Sequence, residues 1–381
     1  MRYLCLGHAM KETLPVRDAR RCLEKAVAQA GHDVSGGYCL SDGGDGFLEA
    51  CEDAFGSGLQ RVRVECRDPL GKPMSAEMLF HEGQKLCVIE AAMTCGLALI
   101  EPANRDIMAS GTAGLGDMIS AALSRGSQTL LIGLGGSATC DGGLGMLGEL
   151  LKFGGADVDP APLSGWTARD MVEHNYAFTA LPSVLPASFR ICTDVRNPLL
   201  GAQGAAMVFS PQKGATSEQA AVLDRALTRF ANEVEPLAVG GRRAGDQLRD
   251  LPGAGAAGGL GFMLAALGGE IENGAEMILD RIDLPKLLED ADGVITSEGR
   301  FDMTSLHGKA PWAAAHAARR WGKRSIIACG SADTEAVATA AEQGVEVIAC
   351  CEELPVEQRR ERTPERLMHS VATHLSKERV L

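Results

Sequence analysis

Five short apolar runs, at residues 3–6, 34–40, 293–296, 325–329 and 345–350, are each followed by a polar turn and a stretch of helical periodicity. Strands that are apolar along their whole length are buried on both faces, and their alternation with helices gives a parallel sheet covered on both sides. The matching helices fall at about 16–30, 46–55, 311–321, 334–343 and 364–375. Two strand–helix units come early in the chain and three come late. They predict one doubly wound α/β domain from residues 1–58 and 284–381, with residues 59–283 inserted as a second α/β domain.

If the strands follow the flavodoxin-like order 2-1-3-4-5, the first and third adjoin at the switch point, where such sheets bind ligands at their carboxyl ends. The loops 7–13 and 297–309 meet there, which places Lys11 beside the second loop. Residues 294–311 run from an apolar strand into a glycine-punctuated loop carrying Glu298, Arg300, Asp302, His307 and Lys309, and then into a helix. A charged loop at a helix N-terminus suits an anion such as phosphate. Taken alone, the pattern fits a solvated loop equally well. After the second strand, Asp42, Gly43, Gly44, Asp45 and Gly46 form a tight turn that lets two carboxylates converge on one ion or hydroxyl, without the spacing of a calcium loop.

The inserted segment opens with alternating runs at 61–66, 74–80 and 86–91, the pattern of an antiparallel meander. Four glycine-rich loops follow, at 129–143, 194–201, 211–216 and 252–261. Ordering glycine costs more chain entropy than ordering any other residue, and close approach of backbone to a ligand is the usual compensation. Both Gly133-x-Gly135-x-x-Ala138 and Gly253-x-Gly255-x-x-Gly258 fit the dinucleotide fingerprint. Neither sits in a strand–helix–strand unit closed by an acidic residue, so an NAD-dependent dehydrogenase ranks last. No Walker-type phosphate loop occurs, yet other glycine loops bind phosphate through backbone N–H groups.

A formal charge of −13 argues against nucleic acid or an anionic membrane as partner. The first strand meets charge at once, and no run is long enough to span a bilayer, so neither a signal peptide nor a membrane helix is expected. Twelve cysteines without a Cys-x-x-Cys spacing predict reduced thiols, a cytoplasmic protein and no zinc site.

In their order, several segments resemble the bacterial glycerate kinase family. They are Asp42 to Gly46, Ile89 to Ala92, Ser110 to Thr112, Ile132 to Thr139 with Asp141 to Gly143, Asp194 to Gly201, Pro211 to Thr216, Pro252 to Gly261, Glu298 to Arg300 and Leu306 to Pro311. The resemblance implies transfer of the γ-phosphoryl group of ATP to D-glycerate, with 2-phosphoglycerate the favoured product. It also implies a flavodoxin-like domain built from both termini, an inserted restriction-endonuclease-like domain, and a site in the cleft. On that pattern Gly135, Gly136 and Ser137 lie near the phosphates, with Lys213 or Lys309 neutralising them. Asp194 is the carboxylate nearest Mg²⁺, Arg300 and Lys11 hold the glycerate carboxylate, and Asp42 or Asp302 orients or deprotonates the attacking hydroxyl. Asp45 and Glu298 complete the substrate side, and a homodimer is compatible with the sequence.

The chain departs from the family at its first loop. Where members usually read Ala-Pro-Asp-Ser-Phe-Lys-Gly, it has Leu6, Gly7, His8, Ala9, Met10, Lys11 and Glu12. Lys11 is kept, but the carboxylate and the hydroxyl are lost. Two further readings follow: a kinase of another small hydroxy acid, or a ligand-binding homologue with impaired catalysis.

Overall fold

The computed structural model describes all residues except 12, 155–162, 164, 183–187, 239–246, 353 and 378–381, so Glu12 lies outside the described residues. Among the described residues eleven strands follow in chain order. They are β1 (Arg2–His8), β2 (Asp33–Leu40), β3 (Leu59–Arg67), β4 (Pro73–His81), β5 (Leu86–Glu90), β6 (Thr129–Gly133), β7 (Ser188–Cys192), β8 (Glu270–Glu272), β9 (Gly293–Phe301), β10 (Arg324–Ala332) and β11 (Glu346–Ala349). The chain forms two units, 1–57 with 274–381, and 58–273.

In the first unit five parallel strands lie in the order β2-β1-β9-β10-β11. The period of two along each strand feeds both faces. Ile326 and Ala328 of β10 pack with Leu23 and Ala26 of the helix Val16–Gln29 on one side, whereas Ile327 and Cys329 pack with Trp312 and Ala315 of the helix Ala310–Arg320 on the other. The last helix, Val356–Ser376, begins eight residues before the expected 364, with Pro364 inside it. The buried stripe that docks this helix, Thr363, Leu367, Val371 and Leu375, already starts before the proline.

The second unit holds a six-stranded sheet in the order β3-β4-β5-β6-β7-β8, antiparallel through β3, β4 and β5 and parallel from β5 to β8. The core gathers Cys87, Ile89, Leu130, Ile132 and Ile191 from the sheet with Phe230 and Phe262 from helices. The helix Ser217–Val234 starts on a capping box in which Thr216 Oγ1 accepts from the Gln219 N–H at 3.2 Å and Gln219 Oε1 accepts from the Thr216 N–H at 2.9 Å.

The second boundary lies at 273/274, ten residues before the expected 284. The helix Gly274–Arg281 belongs with the first unit, where a Cβ at Gly274 would collide with the Asp42 carbonyl. Among the described residues no helix is long and apolar enough to cross a membrane. All twelve cysteines are buried and free.

Candidate functional site

In the first unit β1 is flanked by β2 and β9, so the chain leaves the sheet in opposite directions from the carboxyl ends of β1 and β9. Paired residues run from Tyr3 with Gly293 to Leu6 with Thr296. Just beyond, the Ser297 hydroxyl accepts from the His8 N–H and donates to the His8 carbonyl, both at 2.9 Å. His8 is 8% exposed, its Nδ1 is buried with no partner among the described residues, and its Nε2 lies 3.9 Å from Asp42 Oδ2. The turn after β2 holds Asp42 in place: its Oδ1 accepts from the Gly44 N–H at 3.1 Å, and the Ser41 hydroxyl donates to the Gly44 carbonyl at 3.1 Å. Asp45 is half-buried on the same turn.

Glu298 ends this row at 4% exposure. Its Oε1 accepts from the Ser305 hydroxyl at 2.9 Å and from Lys309 Nζ at 3.2 Å, while Oε2 is buried without a partner among the described residues. Burial pushes the Glu298 carboxyl above its ordinary pKa, against the pull of Lys309 and His8. Gly299 lies against the backbone of Met10 and Lys11, so the loops 7–13 and 297–309 meet as the sheet order requires. Lys11 itself is exposed. Arg300 is also exposed and turns to Asp333 at 3.0 Å and Asp302 at 3.8 Å. Burial would raise the Asp302 carboxyl, but hydrogen bonds from Thr304 and the charge of Lys309 outweigh it and leave the pKa lowered.

The second unit brings its glycine-rich loops onto one another. A Cβ at Gly258 would strike the Thr139 carbonyl, and one at Gly255 would strike the Pro198 carbonyl. Much of the glycine cost is therefore compensated by backbone packing on backbone, where approach to a ligand was expected. After β6 the loop passes through half-buried Gly135 and exposed Gly136. The Leu97 N–H donates to the Gly136 carbonyl and the Ala138 N–H to the Cys95 carbonyl, each at 2.7 Å. Lys213 lies beneath this loop at 3% exposure, donating to Ser137 Oγ at 2.9 Å and to the Thr139 carbonyl at 2.8 Å. Burial lowers its pKa, against the opposing influence of Cys140 and Asp141.

Asp194 follows β7 and lines a cavity of about 520 Å³ with Thr193, Arg196, Glu272, Asn273 and Pro252. Its walls mix the carboxyls of Asp194, Glu270 and Glu272 with the apolar Val195, Leu251 and Ile271, and burial raises the Glu272 carboxyl above its ordinary pKa, opposed by Arg190.

The structure thus gathers Asp42, Glu298 and Lys309 into one cluster with His8. It leaves Arg300 and Lys11 as its exposed cations, and gives Lys213 to the glycine loop. Sequence reasoning passed over Ser297 and Ser305, which position His8 and Glu298, and Asp141, which is fully buried. Asp141 Oδ2 accepts from the Thr112 N–H at 2.9 Å, the Thr112 hydroxyl at 2.7 Å and the Gly145 N–H at 3.2 Å, tying together two helix starts. The only advance signal was that Asp141 and Thr112 both fall in segments shared with the resembling family.

A sequence model described as the glycerate kinase family matches residues 4–378. The chain is 35% identical to a glycerate kinase of Bacillus subtilis, covering 87% of this chain and 85% of that one. It is 31% identical to the glycerate 2-kinase of Escherichia coli over 91% and 90% of the two chains. Its structure aligns with one described as glycerate kinase 2 from Salmonella typhimurium LT2, with a TM-score of 0.74 and 30% identity, over 100% of this chain and 98% of that one.

Proposed function

We infer the function from one premise: the chain belongs to the glycerate kinase family. It is a phosphotransferase that acts on an alcohol group, and the reaction we propose is transfer of the γ-phosphoryl group of ATP to D-glycerate, giving 2-phosphoglycerate. The observation that carries it is the cluster at the carboxyl edge of β1, β2 and β9. There a carboxylate, an imidazole and a cation-bound glutamate stand together, and buried atoms of His8 and Glu298 await partners. A small hydroxy acid offers both a hydroxyl and charge to such a set.

Phosphoryl transfer asks the protein for positioning and charge neutralisation more than for covalent chemistry. We assign the phosphates of ATP to the loop of Gly135, Gly136 and Ser137, which Lys213 holds in shape from below. Lys309 supplies positive charge near the acceptor. The exposed Lys11 and Arg300, the latter exchanging its pairs with Asp333 and Asp302, hold the glycerate carboxylate, and Asp42 or Asp302 orients its hydroxyl, with Asp45 beside Asp42. Among the described residues no three His, Cys, Asp or Glu side chains stand close enough to form a metal cluster. Mg²⁺ needs no such cage, since it takes one or two carboxylates and completes its shell with phosphate and water, and Asp194, on a cavity wall shared with Glu270 and Glu272, fits that need. When bound it would neutralise charge on the β- and γ-phosphates.

We also take the first unit to be flavodoxin-like, which its strand order supports, and the insertion to be restriction-endonuclease-like. Twelve free thiols support a cytoplasmic enzyme. Because His8 stands where relatives usually carry a carboxylate, a different small hydroxy acid is the second reading. ³¹P NMR of the protein with Mg-ATP and D-glycerate, beside L-glycerate and other 2-hydroxy acids, decides between them. A phosphate ester at the 2-position of D-glycerate is expected. An ester on another acid alone selects the second reading, and none on any acid refutes both.

A further inference from the structure

Building on the kinase function above, we propose that His8 is the general base of the reaction, taking the proton of the acceptor hydroxyl on Nδ1 while Asp42 faces its Nε2. Three independent features of the structure carry this. The first is placement: both backbone polar groups of His8 are held by one hydroxyl, Ser297 Oγ, which fixes the backbone that carries the ring at the carboxyl end of β1. The second is the pairing. Asp42 Oδ2 stands 3.9 Å from Nε2, longer than a hydrogen bond, and catalytic contacts of this kind tighten only when substrate binds. A carboxylate at that nitrogen favours the tautomer with its proton on Nε2 and leaves Nδ1 a bare lone pair. The third is the orphan atom: Nδ1 is buried and has no acceptor or donor among the described residues. A buried polar atom left unpaired is costly, and a small turn of the ring that brings Nδ1 to the acceptor hydroxyl removes that cost.

The charged groups around His8 come from two other elements. Asp42 approaches from the turn after β2, and Glu298 from β9 with Lys309 bound to it. Glu298 Oε2 is the second orphan atom of the cluster. The electron balance is simple. The acceptor O–H bond breaks, its proton passes to Nδ1, and the oxygen lone pair forms the bond to the γ-phosphorus. The bond from that phosphorus to the β,γ-bridging oxygen breaks, and ADP leaves with the electron pair. His8 then carries a positive charge, stabilised by Asp42, until the proton returns to water.

The test uses the intact chain and three variants, with the ³¹P assay run first on the wild type. H8Q is expected to lower kcat about 100-fold, within the usual range for general-base catalysis, with the KM for ATP unmoved. The wild-type rate falls as pH drops and imidazole protonates, and H8Q loses that limb. H8D, restoring a carboxylate, recovers part of the rate and moves the limb to lower pH. D42N lowers kcat, because the imidazolium formed as the proton is taken loses its counter-charge. ¹⁵N NMR of histidine-labelled wild type, with His8 assigned by its absence from H8Q or H8D, is expected to show Nδ1 without a proton at neutral pH. A proton on Nδ1 overturns the assignment without any appeal to variant folding. If the wild type makes an ester and H8Q matches it in rate and pH profile, the base is another group and the kinase function stands. If the wild type makes no ester with any hydroxy acid, the kinase function itself fails and the role of His8 with it.

Discussion

One hydroxyl, that of Ser297, both accepts from the N–H of His8 and donates to its carbonyl, at 2.9 Å each way. The parallel pairing of β1 with β9 ends at Leu6 and Thr296, and a side chain takes over where the backbone ladder stops.

Ser297→Ala removes both bonds and leaves buried backbone groups unpaired. We expect a loss of about 2 kcal/mol in urea unfolding and a fall in kcat with the KM for ATP unchanged. Wild-type stability together with wild-type kcat would show that the clamp matters to neither.

Lys213 is spent on a loop. With its ammonium buried and bonded to Ser137 and Thr139, Lys213→Met lets the segment 135–139 relax, and a rise of about tenfold in the KM for ATP follows from the loss of charge-assisted bonds. Stability supplies a second readout. Because burial lowers the folded-state pKa from its ordinary 10.5, the unfolded chain binds more protons over the window between the two values, and Lys213 makes stability rise with pH there. Subtracting the variant's urea curve from that of the wild type should show this rise. A flat difference would mean that burial does not lower the Lys213 pKa in the folded chain.

The sheet was legible because its evidence is local. Residues 3–6, 293–296 and 325–329 are apolar runs whose burial on both faces needs no knowledge of partners, and their order brought Lys11 to the loop of Glu298 before any coordinate did. The site was legible only in part. A serine after a strand reads as a turn, so Ser297 and Ser305 gave no sign of holding His8 and Glu298. Lysine is most often solvated, so nothing marked Lys213 as buried. Asp141 depends on Thr112, 29 residues away, and Arg300 reaches Asp333 across 33, distances at which pattern says nothing about contact.

At β11, away from the catalytic cluster, Glu346 accepts from Arg324 Nε at 2.6 Å and meets His374 Nε2 at 2.7 Å. Hydrogen bonds from Arg324 and His374 bring its carboxyl from 4.5 down to about 2. The folded state therefore binds fewer protons than the unfolded one between those values, so this contribution is complete above about pH 4.5 and lost as pH falls toward about 2. The group is partly exposed, and solvent screening reduces its worth to about 1 kcal/mol. Glu346→Gln should lose that stability at neutral pH and show a shallower acid limb in urea unfolding monitored by circular dichroism. An acid limb identical to the wild type's would place the acid sensitivity elsewhere.

The role given to Asp194 can be separated from folding because the residue stands on a cavity wall, outside the packed core. If its carboxylate is the protein's contact to Mg²⁺, Asp194→Asn weakens the metal–nucleotide complex without moving the acceptor. The Mg²⁺ concentration for half-maximal rate should then rise about tenfold, the equivalent of about 1.4 kcal/mol, with the KM for D-glycerate and the unfolding midpoint unchanged. Adding EDTA should abolish turnover in both proteins, which controls for metal dependence as such. Glu272→Gln serves as the contrast on the same wall: its carboxyl is already engaged by Arg190 at 3.5 Å and by the Cys192 thiol, so removing its charge should leave the Mg²⁺ requirement where it was. A shift in Glu272→Gln with none in Asp194→Asn would exchange the two roles, since the cavity offers both carboxylates to the same ion.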